Sequence, residues 1–288
     1  MTMPTNIAYD ATLKLSDDFV QKLAALAGCA PRPIAPGQET DAAECLIVGW
    51  QTLVDEALLD SYPNLRLIVL RATSQARVDL PSVADRGIEL CTLHRYGDEG
   101  TAEFVIREIL CHFSSPTARA ATRREVAGKT LGLFGAGGVA RRVAHAARAL
   151  GMEVIATRQR AEAGWDGDAA TVAPAGDLIA RSHVVSFHTP PFFRVVEASD
   201  LAGAEQLELL VITTLGLPLS PQHLRDWVGH RRRAVLDSVA AHADAEALVD
   251  APGICIRRCY AARTEESVAR AEAQMLCHVQ AHASREAA

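Results

Sequence analysis

The stretch TLGLFGAGGVARRVAHAARALGMEVIAT, Thr130 to Thr157, constrains the fold of this chain more than any other. An apolar run, TLGLF, leads into Gly135-Ala136-Gly137-Gly138-Val139-Ala140, then into a helical pattern, then into a second apolar run. Strand, glycine turn, helix and strand in that order form a parallel βαβ unit of the kind that binds a dinucleotide. The first glycine permits the sharp turn, the second lets backbone approach a pyrophosphate, and Ala140 takes the third small position. Val139, Val143, Ala147 and Leu150 fall on one helical stripe, and Gly151 follows as a stop. Free N–H groups at the helix start suit an anion. The bland alternative, a glycine turn in an α/β protein without a nucleotide, stays open.

The second strand should end in a carboxylate if its partner is the ribose of NAD. Here the chain reads Thr157-Arg158-Gln159-Arg160. A hydroxyl and two guanidiniums favour a 2′-phosphate, so NADP(H) is expected over NAD(H). The competing reading makes both arginines surface charges on a loop.

Around this unit, short β-branched runs alternate with helical patterns, which is the signature of parallel α/β architecture. NIAYD, CLIVGW, RLIVLRA and IELCTL read as four strands, with helices at SDDFVQKLAALAG, capped by Ser16, and LVDEALLDSYP. TLGLF, EVIAT, HVVSFH, LELLVITT, RAVLD and GICIRR read as six more. The expected fold is two doubly wound parallel-sheet domains: a flavodoxin-like substrate domain (1–95 with the C-terminal helix 264–288) and a Rossmann dinucleotide domain (96–263).

Composition excludes several classes. Net charge is −6 over 288 residues, and the one basic cluster, Arg231-Arg232-Arg233, is short, which argues against a nucleic-acid partner. No apolar run is long enough to cross a membrane, and MTMPTNIAYD lacks the charge and apolar core of a signal peptide. Seven cysteines, scattered from Cys29 to Cys277, make no disulfide framework and fit a reducing cytoplasm. Lys14, Lys22 and Lys129 are the only lysines, an arginine bias that fits a GC-rich bacterial genome.

From about Cys45 onward the chain resembles the D-isomer-specific 2-hydroxyacid dehydrogenases. YPNLRLIVLRATSQARVDL resembles the family's first-domain strand and substrate loop. YGDEGTAEFVI resembles its interdomain helix, GKTLGLFGAGGVARRVA its cofactor turn, SHVVSFHTP its histidine-proline element, and RRRAVLDSV the strand bearing its nicotinamide-contacting aspartate. The resemblance implies cofactor contacts from His188, Thr189, Pro190, Thr214, Leu215 and Asp237, a small-molecule substrate facing Thr73, Ser74 and Gln75, and a homodimer.

It also exposes departures. The segment matching the family's catalytic arginine is ITTLG, with Leu215 at that position. The family's histidine is matched by Cys259, and the glutamate that orients it by His242. Leucine cannot pair with a carboxylate, and a thiol is not a drop-in imidazole. The ordinary 2-hydroxyacid mechanism is therefore not supported. Cys259 and His242 are the catalytic candidates, as an activated thiolate or a proton relay; the alternative is that Cys259 is a small packed residue. Arg257 or Arg258 would be the nearest substitute for the lost positive charge. Alternation puts Cys255 and Cys259 on one strand face if the strand runs that far, but without a third ligand no metal is expected. His145 and His183 read as structural or exposed. Three functions remain: an NAD(P)-dependent oxidoreductase with a remodelled active site, a cofactor-binding protein without redox chemistry, and an enzyme of another type using Cys259 and His242.

Overall fold

A computed structural model describes residues 6–34, 42–115, 122–157, 170–229, 231–238, 240, 245–248 and 251–286. The chain divides into two compact units, Met1–Tyr96 with Glu265–Ala288, and Gly97–Thr264.

The first unit contains β1 (Ile7–Asp10), α1 (Asp17–Ala27), β2 (Arg32–Ile34), β3 (Cys45–Gly49), α2 (Glu56–Asp60), β4 (Leu67–Arg71), α3 (Leu80–Asp85) and β5 (Glu89–Thr92). Its parallel sheet has the order β2-β1-β3-β4-β5. β3 and β4 are buried along their whole length, which is why both read as unbroken apolar runs. Ser16 caps α1, its hydroxyl accepting the Phe19 N–H at 3.2 Å. Three edge residues containing Pro33, β2, make a fifth strand where four were expected.

The second unit opens with α4 (Asp98–Ser114) and continues through β6 (Thr130–Phe134), α5 (Gly138–Ala149), β7 (Glu153–Ala156), β8 (Thr171–Val172), α6 (Ala175–Arg181) and β9 (Val184–Phe187). Then follow α7 (Ala198–Ala202), β10 (Leu209–Ile212), α8 (Pro221–Trp227), β11 (Arg233–Leu236), α9 (Ala245–Leu248) and β12 (Ile254–Ile256). The remaining helix, α10 (Glu265–Glu286), returns to the first unit, where Ala271, Met275 and Val279 join the core under α1.

All seven strands of the second sheet are parallel, in the order β12-β11-β10-β9-β6-β7-β8. The seventh, β8, is two exposed residues and was not expected. Chain order reverses between β6 and β9, so the loops leaving those neighbours diverge and open a crevice at their carboxyl ends. Helices bury both faces of the sheet. On α5 the buried residues are Ala140, Val143, Ala144 and Ala147, whereas Leu150 is 37% exposed. Leu150 follows the last full turn, so the apolar stripe ends before it. Gly151 closes that helix at φ +79°, its N–H reaching Arg148 O while the Met152 N–H reaches Ala147 O.

Candidate functional site

The crevice of the second unit is built on the turn after β6. Gly135 has φ +108°, and a Cβ there would lie 2.3 Å from the His188 carbonyl oxygen. Both the conformation and the close approach to the β9 exit demand glycine. Gly137, the residue preceding α5, differs: its φ of −74° suits any residue, and a Cβ would meet nothing within 4 Å among the described residues. Packing among the described residues does not explain this glycine. Gly138 differs again, because a Cβ there would strike the Asp98 carboxylate at 2.0 Å. Ala136 contributes its carbonyl to Arg141 Nε at 3.2 Å, and Val139 is partly buried against the core.

The neighbouring strands brace this turn. Thr157, buried at the end of β7, accepts the Gly135 N–H on its hydroxyl at 3.3 Å and donates its own N–H to Leu133 O. Its side chain thus serves the turn, a contact that spacing along β7 could not reveal. His188 donates its N–H to Phe134 O and sets Nε2 3.1 Å from the hydroxyl of Ser186. Some of the residue's edge reaches the surface, but its ring is enclosed, and this desolvation pushes its pKa down to about 4. Thr189 carries a buried Oγ1 with no partner among the described residues, and Pro190 beside it is exposed. Arg158, Gln159 and Arg160 lie outside the described residues.

The ends of β10 to β12 are arranged otherwise. Thr214 turns its hydroxyl onto Gly216 O at 3.1 Å, and Leu215 O accepts the Phe192 N–H at 2.7 Å. Asp237 is fully buried; Oδ1 accepts the Ala240 N–H at 2.8 Å and Oδ2 the Ala261 N–H at 3.0 Å. Those bonds tie the β11 exit to the chain leaving β12. Cys259 lies in that chain, exposed, with its carbonyl accepting the Ser238 N–H at 2.9 Å. β12 stops at Ile256, so the strand does not run far enough to put Cys255 and Cys259 on one face. The exposure of Cys259 also overturns its reading as a packed core residue. Arg257 is engaged: its guanidinium forks onto the buried Glu108 at 3.1 and 2.7 Å, opposite Arg107. The Arg107 guanidinium, held first by Glu108, also reaches the Cys259 sulfur. His242 lies outside the described residues. In the first unit, Thr73 and Gln75 are exposed, and Ser74 accepts the Ala76 N–H at 3.2 Å. His183 is structural, its Nδ1 accepting the Thr130 N–H at 3.1 Å.

Comparison with known proteins gives this geometry its context. Residues 108–211 match the family described as D-isomer specific 2-hydroxyacid dehydrogenase, NAD binding domain. An (S)-sulfolactate dehydrogenase of Chromohalobacter salexigens is 28% identical over 232 residues, 73% of this chain and 69% of that protein. Several other curated relatives, most of them named as dehydrogenases, are matched over 40 to 55% of their own length. A D-lactate dehydrogenase of Aquifex aeolicus, complexed with NAD and lactic acid, superposes with a TM-score of 0.79 at 19% identity, covering 97% of this chain and 95% of that one. An acyclic imino acid reductase in complex with NADPH and D-Arg superposes with a TM-score of 0.81 at 17% identity, over 97% of each chain.

Residues 108–211 are thus similar to the NAD binding domain of the D-isomer-specific 2-hydroxyacid dehydrogenases, and the chain shares the fold of the solved structures above. That fold is two parallel-sheet α/β domains, the second a Rossmann domain. Among the described residues, no helix is long and apolar enough to cross a membrane. Two residues at the turn after β6 escaped sequence reading, Asp98 and Arg141. The contact of Asp98 with Gly138 spans forty positions, beyond any local signal.

Proposed function

We propose that this chain is a nicotinamide-nucleotide oxidoreductase whose active site is remodelled, acting on a carbonyl or hydroxy compound other than a simple 2-hydroxy acid. The observation that carries the reading is Gly137. A glycine that neither conformation nor packing requires, at the start of a twelve-residue helix, leaves space for a ligand's approach to the backbone. The buried, unpartnered Thr189 Oγ1 beside the same turn fits a ligand hydroxyl or phosphate oxygen.

Gly135, Ala136, Gly137, Gly138 and Val139 would hold the diphosphate by backbone N–H groups, with His188, Thr189 and Pro190 along the sugar. A bound nicotinamide supplies or accepts the hydride. His188 stays neutral at physiological pH, so it orients by hydrogen bonding without adding charge. Asp237 fixes the chain after β11 and β12, where Cys259 lies, while Thr214 and Leu215 follow β10 on the same edge. Leu215 offers no charge to a carboxylate, which supports a substrate that does not depend on one. Thr157, Arg158, Gln159 and Arg160 make NADP(H) the favoured cofactor, a part of the reading that rests on sequence chemistry. Residues 1–95 with 264–288 would carry the substrate loop at Thr73, Ser74 and Gln75, and a cytoplasmic homodimer completes the reading.

Calorimetric titration tests it. NADPH should bind about tenfold tighter than NADH, the gain expected when guanidiniums meet an added phosphate. Tighter NADH would sink the cofactor preference, and no heat from either would sink the proposal.

A further inference from the structure

The anion-binding end of α5 already has a negative group beside it. An atom added at Gly138 Cβ would meet Asp98 Oδ2 at 2.0 Å, Cγ at 3.1 Å and Oδ1 at 3.8 Å, so the whole carboxylate leans over the first residue of the helix. Its position is set by the backbone. Around Asp98, α4 is pinned by Gly97, where a Cβ would strike Ala262 Cβ at 2.7 Å, and by Gly100, where it would strike Thr264 Cγ2 at 2.6 Å. The chain carrying those two residues is itself anchored by the Ala261 N–H on Asp237. The next residue of α4, Glu99, pairs with Arg142 of α5 at 2.6 Å. Two helix starts, each with a positive dipole end, thus meet with two carboxylates between them.

We propose that Asp98 sets the affinity of the nucleotide site by acting as an internal anion at the α5 N-terminus, so that a diphosphate must displace its carboxylate or bind against its charge. This rests on the nucleotide reading above and adds a residue that governs it. The charge argument is direct. Two like charges about 5 Å apart near a surface repel by an amount worth tenfold or more in affinity. Because Gly97 and Gly100 allow the backbone no retreat, only rotation of the Asp98 side chain relieves that repulsion. Arg141, whose Nε already reaches Ala136 O on the turn, is the cation positioned to meet the incoming phosphate.

The test uses the full chain and its Asp98→Asn and Asp98→Ser variants, titrated by calorimetry with NADPH and separately with inorganic pyrophosphate. Both variants should bind both ligands about tenfold tighter, and melt slightly lower without ligand because the helix start loses its counter-charge. Unchanged or weaker binding in a variant that keeps the parent's circular dichroism would overturn the proposal. Tighter pyrophosphate without NADPH binding in any of the proteins would support Asp98's role and sink the nucleotide reading. Binding of neither ligand by any of them would sink both. Should one variant fail to fold, the other carries the comparison.

Discussion

The carboxyl edge of the seven-stranded sheet has two halves, and they treat polar groups differently. At the ends of β6 to β9, Gly137 leaves open space, Thr189 Oγ1 is buried without a partner, and His188 is held uncharged. At the ends of β10 to β12, both Asp237 oxygens, the Thr214 hydroxyl and the Leu215 carbonyl are engaged by the chain's own loops. One half keeps capacity facing outward; the other uses its capacity to shape itself. A site divided in this way can retain recognition of a nucleotide while the groups that handle its substrate change. Recognition and chemistry should then separate under mutation.

The largest expected effect comes from breaking the first half. Gly135→Ala puts a Cβ against the backbone carbonyl of His188, which cannot move aside as a flexible side chain would, and imposes an unfavourable positive φ. The expected cost is about 3 kcal/mol or more, with NADPH binding lost. Thermal melting and calorimetry measure the two. Gly137→Ala, by contrast, should leave the melting temperature near the parent's while weakening the nucleotide, since its Cβ meets only open space in the protein. Equal losses of stability at the two glycines would erase the distinction between them.

A smaller effect, at the opposite edge of the sheet, sharpens the comparison. Glu208 precedes β10 and faces His112 at 3.5 Å and Arg124 at 2.5 Å, which hold its carboxyl down at about 2. The His112 contact is long for a hydrogen bond, so the Arg124 bond is the firmer of the two. A carboxylate depressed in the folded state stabilises above its unfolded value of 4.5, and that contribution is lost as pH falls toward 2. Arg124 is partly exposed, which reduces the effect. Glu208→Gln should cost about 1–2 kcal/mol at pH 7 in urea unfolding, and the difference from the parent should shrink steadily below pH 4.5. NADPH affinity should not change, because Glu208 lies at the amino ends of the strands. A weakened nucleotide in this variant would mean that any loss of stability reaches the cradle, and the contrast drawn with Gly135 would fail.

How much of this was legible in the sequence depended on how local each signal was. The Ser16 cap, the Gly135 turn and the Gly151 stop are written within four residues of where they act, and they lie in the structure where the sequence puts them. The long β-branched runs gave the parallel sheets, because strands buried on both faces must be apolar throughout. Two short edge strands were missed: β2 contains a proline and β8 is two exposed residues, so neither carries a pattern. Leu150 kept its helical spacing although the helix had already ended. In the candidate site, the Thr157 hydroxyl turns back across the sheet to Gly135, and Arg257 is taken up by Glu108 from a distant helix, contacts that spacing does not record. Asp98 was invisible for the same reason. Sequence spacing records what lies along an element, whereas these contacts join elements.

The smallest expected effect concerns Cys259, on the second half of the edge. The thiol is exposed beside the Arg107 guanidinium, and its backbone carbonyl, which any residue supplies, makes the bond to Ser238. Cys259→Ser should therefore change stability by no more than about 0.5 kcal/mol. Exposure also makes the thiol available to iodoacetamide, and mass spectrometry should find it modified in the folded protein. If the two halves of the site are separable, neither the substitution nor the alkylation will alter NADPH affinity, and any loss will fall on turnover of a carbonyl substrate. Alkylation that weakens NADPH binding would show that the bulk of a modified thiol reaches the nucleotide. The chemistry end and the cradle would then be one surface, and a leucine at 215 would have to be explained by the cofactor as well as by the substrate.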